Sequence, residues 1–249
     1  MRSFFALAAL SAFVSLAACS TTAEDLTGNL KLDFAVKGNL MTKESYAKIA
    51  EATGGLTYES RGSSDMASLV GTAMTASLPD QPKVDIVFCV DTTGSMGDDI
   101  DAVKEKLSDL IDALAADHPD WQIGVATYRD REDDYITKTV QPLTHDKQLA
   151  QDGVAALKAE GGGDYREHVY AGLDTALRDQ PWREGAAHRI LLIGDAPPHE
   201  SYKDDARSFA STTELAKEKQ VQINTIGAHC DQTCQVLVSA LDGIGGGAE

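Results

Sequence analysis

The apolar residues of this chain fall into blocks whose period changes from segment to segment. Val84-Asp-Ile-Val-Phe-Cys-Val90 is almost continuously apolar, as is Arg189-Ile-Leu-Leu-Ile-Gly194. Each predicts a strand buried on both faces. Trp121–Thr127 and Val221–Ile226 predict further strands, and Ile136–Val140, reached by the charged turn from Arg129 to Asp134, an antiparallel one at an edge. Between them the spacing turns helical. Ile100, Val103, Leu107, Leu110, Ile111 and Leu114 line one face of a helix over Asp98–Ala115, and the pattern recurs over Asp146–Ala159, Glu167–Leu177 and Asp204–Lys219. Strands alternating with helices of this length predict an α/β fold: a doubly wound, mostly parallel sheet flanked by helices.

The stretch before these strands is also patterned. Lys43–Ala52 places Tyr46, Ile49 and Ala50 on one helical face, and Thr53-Gly54-Gly55 stops it. Leu56–Glu59 reads as a short strand, Asp65–Met74 as a helix, and Leu78-Pro-Asp-Gln-Pro82 as a break. With 249 residues the chain is long enough for a substantial core, and its 43% hydrophobic content is ordinary for a globular protein. Aromatic residues, at 6%, suit an aliphatic core better than a carbohydrate platform. The net charge of −17 argues against nucleic acid or an anionic bilayer surface as partner.

Chemistry concentrates in three loops. The first, directly after the Val84–Val90 strand, is Asp91-Thr92-Thr93-Gly94-Ser95; the second is Glu160-Gly-Gly-Gly-Asp164-Tyr-Arg-Glu167; the third is Gly194-Asp195-Ala-Pro-Pro-His199. In an open α/β sheet the ligand site lies outside the carboxyl ends of the strands, where such loops converge. They collect acids and hydroxyls and no soft donors, a set that selects hard cations: Mg²⁺ first, with Mn²⁺ or Ca²⁺ as alternatives. Gly94 and Gly161–Gly163 allow close backbone approach and positive φ. Each loop also has a plainer reading. Asp91, Thr93 and Ser95 are suitable caps for the following helix, Asp164 for the next one, and Asp195 a turn acid. His199 reads as a surface residue, Glu132-Asp133-Asp134 as a solvated turn, and His145 and His168 receive no role.

Together these residues resemble the von Willebrand factor type A domain and its metal-ion-dependent adhesion site. The family's Asp-x-Ser/Thr-x-Ser motif stands here as Asp91-Thr-Thr93-Gly-Ser95, its middle ligand matches Asp164, and its final acid matches Asp195. Tyr128-Arg129-Asp130, Trp182-Arg183 and Asp195-Ala-Pro-Pro-His199 are similar to a bacterial and alpha-kinase-linked branch, with Arg166 where that branch has proline. The resemblance implies a cation held by Asp91, Thr93, Ser95, Asp164 and Asp195. It also implies a protein partner whose Asp or Glu carboxylate completes the ion, and no catalysis. Two other functions compete. A serine hydrolase would use Ser95, Asp195 and His229, although Thr93-Gly-Ser95-Met-Gly97 lacks the first glycine of a nucleophile elbow. A metal-free interaction scaffold would need none of these residues.

Family members close with a helix, a Thr-Gly-Gly turn, an edge strand and a further helix. Here the C-terminus stops too soon, whereas Tyr46–Tyr58 and Asp65–Met74 look like that tail placed ahead of the first strand. The expectation is a permuted arrangement in which Leu56–Glu59 lies beside Val221–Ile226. The N-terminus resembles a bacterial lipoprotein signal: Met1-Arg2, an apolar Phe4–Ala18, then Leu16-Ala-Ala-Cys19. Cleavage before Cys19 would leave a lipid-anchored chain, and Ser20 favours the outer membrane. The expected organisation is a signal over 1–18, a tether over 19–29, an N-terminal segment over 30–80 and the main domain over 83–249. Export permits disulfides; Cys230 and Cys234 are the expected pair, and Cys89 a core residue.

Overall fold

Every residue from Val84 to Asp91 is buried, because this strand has a parallel neighbour on each side and helices over both faces. The computed structural model describes residues 40–163, 165–200 and 202–228. Along the chain run α1 (residues 40–53), β1 (Thr57–Glu59), α2 (Ser63–Thr75), β2 (Lys83–Asp91), α3 (Gly97–Asp117), β3 (Asp120–Tyr128) and β4 (Thr137–Thr144). Then follow α4 (Lys147–Ala155), α5 (Val169–Arg178), β5 (Ala187–Gly194), α6 (Phe209–Glu218) and β6 (Val221–Gly227). The sheet has the order β1-β6-β5-β2-β3-β4, parallel throughout except where β4 runs against β3 at the edge. From β2 the chain winds first to one side and later to the other, so the topological switch lies at the carboxyl end of β2.

The period of two along β2 sorts its side chains between two cores. Val84, Ile86, Phe88 and Val90 join Met66 and Val70 of α2, Ile100 and Leu107 of α3, and Val154 of α4. Val87 and Cys89 face Tyr46 and Ile49 of α1, Leu173 and Leu177 of α5, and Leu215 of α6. Among the described residues no helix is long and apolar enough to cross a membrane.

The N-terminal segment completes the sheet as expected. β1 pairs in parallel with β6, Thr57 opposite Thr225 and Glu59 opposite Gly227. Asn224 anchors the join: its Oδ1 accepts from Leu56 N at 2.9 Å and its Nδ2 donates to Ala73 O at 2.8 Å. Arg189 of β5 is 1% exposed and turns its guanidinium to the carbonyls that end α2, those of Ala73 and Ala76. A cation at a helix carboxyl end satisfies the terminal carbonyls and complements the dipole. One boundary differs from the sequence pattern. α6 begins at Phe209 rather than Asp204, because Asp205 is drawn out by Arg207 and Arg131, and Ser208 forms a capping box with Ser211.

Candidate metal centre

Asp91 is the last residue of β2, so its side chain emerges where the sheet ends and α3 has not yet begun. Its Oδ1 accepts from Thr93 N at 2.9 Å and from Thr93 Oγ1 at 2.7 Å. Thr93 Oγ1 lies 3.4 Å from Ser95 Oγ, and Ser95 in turn hydrogen bonds the Asp195 carboxylate. Asp91, Thr93, Ser95 and Asp195 therefore form one connected group across two loops. Asp91 and Thr93 are buried while Gly94 and Ser95 are exposed, which opens the group to solvent on one side. The capping alternative does not hold: the residue ahead of α3 is Met96, and no side chain caps that helix. Thr92, whose side chain turns the other way, hydrogen bonds Thr127 and Tyr135 and fixes the loop to β3.

The glycine run packs against this loop from the second side. Gly94 N donates to Gly161 O at 3.2 Å, and Glu160 N to Thr92 O at 3.0 Å. Gly161 and Gly162 have φ of 81° and 90°, a region in which a side chain is strained. Asp164, the expected middle ligand, lies outside the described residues, as do Cys19, His229, Cys230 and Cys234. Its neighbours lie at the site: Tyr165 Oη is 3.2 Å from Thr42 Oγ1, and Arg166 Nη1 donates to Pro198 O at 2.9 Å. The arginine found where proline was expected thus ties the second loop to the third.

The electrostatics of the group are one-sided. Asp91 Oδ2 is buried without a hydrogen-bond partner among the described residues. Burial, then the Asp195 charge, pushes the Asp91 carboxyl up to about 8. Burial likewise raises Asp195. No ion pair or hydrogen bond joins Asp91 to a basic side chain among the described residues. Two buried carboxylates facing each other beside two hydroxyls fit a hard divalent cation, which would satisfy the orphaned oxygen and cancel the repulsion. Among the described residues no three Asp, Glu, His or Cys side chains make a metal-holding group. Ser95 bonds Asp195 directly, while His229, the third member of the hydrolase reading, lies outside the described residues.

Three features were not read from the sequence. Asp133, taken for a solvated turn residue, is a strut: its Oδ1 accepts from Gly162 N at 2.9 Å and its Oδ2 from Asp130 N at 3.1 Å. His199 is not simply a surface residue, since its Nε2 lies 3.5 Å from Asp130 and its ring stacks on Tyr202. Glu167 is buried beside the group, and burial followed by the charges of Asp91 and Asp130 pushes it up to about 11. A helix-start acid carries no sequence signal for such a place, because it ordinarily complements the helix dipole. Beneath the site, Tyr46 of α1 and Tyr128 of β3 meet hydroxyl to hydroxyl at 3.1 Å, and a Cβ on Gly194 would collide with both. Thr42 Oγ1 donates to Asp195 O at 3.1 Å, so α1 touches the third loop directly.

The sequence profile of the von Willebrand factor A domain matches residues 85–236, which include all five expected ligands. Among curated proteins, alpha-protein kinase vwkA of Dictyostelium discoideum is 30% identical over 120 residues, 47% of this chain and 19% of that protein. The chain thus spans about a fifth of that relative's length. Among solved structures, the conserved hypothetical protein BatB of Bacteroides thetaiotaomicron is similar at 19% identity and a TM-score of 0.45, over 58% of this chain and 66% of that one. The SpRpn10 VWA domain is similar at 14% identity and a TM-score of 0.39, over 64% of this chain and 95% of that one.

Proposed function

This chain belongs to the von Willebrand factor A domain family, and we propose that it binds a divalent cation and presents it to a carboxylate of a protein partner. The observation that carries this reading is Asp91 Oδ2, buried without a hydrogen-bond partner among the described residues and under the charge of Asp195, at the switch point of the sheet. Asp91, Thr93, Ser95, Asp164 and Asp195 would hold the ion. Mg²⁺ is the expected metal, and Mn²⁺ or Ca²⁺ would meet the same oxygen set. The bound ion supplies a directional Lewis-acid position on the exposed side of the group. Thr93 and Ser95, as neutral donors, leave it charge to offer, and Asp91 and Asp195 anchor it from the buried side.

The location proposed is the cell envelope, through acylation of Cys19, with the outer membrane favoured by Ser20. The test is capture of envelope proteins by the immobilised chain, compared in Mg²⁺, in chelator and with D91A. A partner retained only by the wild type in Mg²⁺ supports the reading. Equal capture in all three conditions overturns it in favour of a metal-free scaffold.

A further inference from the structure

Arg129 directly follows β3 and is 4% exposed. Its Nε donates to Thr92 Oγ1 at 3.4 Å and its Nη2 to Lys158 O at 3.0 Å, and its Cζ lies 4.5 Å from the centre of the Tyr135 ring. All three of these partners are neutral. Its one ion pair among the described residues is with Glu160, 3.8 Å away on a side chain that is 64% exposed. Its Nη1 makes no hydrogen bond among the described residues. A guanidinium taken out of water is costly unless its fork meets an acid, and here the fork is only partly used.

Arg129 lines a recess of about 410 Å³. Thr127 of β3 with Lys138 and Val140 of β4 form one side, Leu157 and Lys158 after α4 the other, and Tyr135 stands in the turn between the two strands. Pockets for small molecules measure about 300–1,000 Å³, so the size is that of a ligand site. Tyr135 gathers two cations, for Lys138 Nζ also lies 3.6 Å from its ring centre, and its hydroxyl is pinned 2.8 Å from Thr92 Oγ1. Neither Lys138 nor Lys158 forms an ion pair among the described residues. Three basic side chains therefore face two acidic ones, Asp134 and Glu160, in a chain whose net charge is −17. One negative charge balances that lining, and Val140 and Leu157 offer apolar carbon beside it.

We propose that this recess is a second binding site, for a small organic monocarboxylate. Its carboxylate would meet Arg129 and Lys138 at Tyr135, and its apolar body would lie against Val140 and Leu157. The recess adjoins the first metal loop, since Thr92, between Asp91 and Thr93, contacts Thr127, Tyr135 and Arg129. It needs no ion, so this inference does not rest on the cation reading above.

The test is calorimetric titration of the full chain in chelator, which silences the cation site, with phenylacetate, hexanoate, 2-phenylethanol and phenyl phosphate. One of the two monocarboxylates should bind about tenfold more tightly than the neutral alcohol, and R129M and K138M should each weaken it about tenfold, as loss of a charged contact does. Lys138 is exposed, so K138M keeps the test if R129M does not fold. Binding by neither monocarboxylate, binding of the alcohol as tight as theirs, or a K138M affinity equal to wild type overturns the proposal. Phenyl phosphate binding more tightly than both overturns the choice of a carboxylate.

Discussion

Strand β2 carries a fully buried aspartate near each end, and the two are treated in opposite ways. At the amino end Asp85 receives Arg183, whose main-chain N–H donates to Oδ2 at 2.8 Å and whose Nε donates to Oδ1 at 2.7 Å. Arg183 also reaches Val84 O and Asp120, so it stitches β2 to β3. At the carboxyl end Asp91 receives, among the described residues, only Thr93, and its strongest charged neighbours are carboxylates. Burial and residue type are the same at both ends. A buried acid given its own cation belongs to the fold; one left among other acids is where we propose that a cation binds from solution.

The largest expected effect is at the amino end. R183A leaves Asp85 buried and unpaired, which should destabilise the protein by about 3–5 kcal/mol in chemical denaturation, with or without Mg²⁺. D91N should act oppositely, leaving the metal-free protein as stable as wild type or more so. Its cation affinity, by calorimetric titration, should fall about a hundredfold, the loss of one charged contact of about 2–3 kcal/mol.

Acidity separates the ends further. The Asp91 carboxyl lies at about 8 in the folded protein, above its ordinary value near 4 in the unfolded chain. Between those values the folded state holds the extra proton, so the contribution of Asp91 to stability falls as pH rises through that window and levels off above it. Melting temperatures of the wild type in chelator should decline through this window, and saturating Mg²⁺ or D91N should make the decline shallower. S95A should have the smallest effect. Ser95 is an exposed, neutral donor, so its loss should weaken cation binding by about three- to tenfold. In the metal-free protein it also removes the Ser95 bond to Asp195, which should lower the melting temperature by a few degrees.

Much of this was legible in the sequence. The continuous apolar run of β2, the helical spacing of Ile100 to Leu114 and the early helix–strand unit around Tyr46 each obey a local period, and each element stands where the period put it. The pairing of β1 with β6 followed from the resemblance of Tyr46–Tyr58 and Asp65–Met74 to the closing segment of the family, placed here ahead of the first strand. Asp91, Thr93, Ser95 and Asp195 were legible because strand ends deliver their loops to a common edge. Glu167, Asp133 and the Tyr46–Tyr128 contact were not, because each depends on which loops lie side by side. The Asp204 boundary failed for the same reason: a distant Arg131 competes for Asp205 and unwinds a turn that the local pattern favours.

The most direct measurement is the melting temperature of the full chain in chelator and at a Mg²⁺ concentration about a hundredfold above its dissociation constant, for wild type and D91N. Binding to the folded state alone should add about 2.7 kcal/mol at that excess. For a chain of this size that is a rise of about 5–10 °C. The rise should appear in wild type and shrink to about 1–2 °C in D91N. A wild-type curve that does not move with Mg²⁺, Mn²⁺ or Ca²⁺ would contradict the claim that the acids at the end of β2 await a cation.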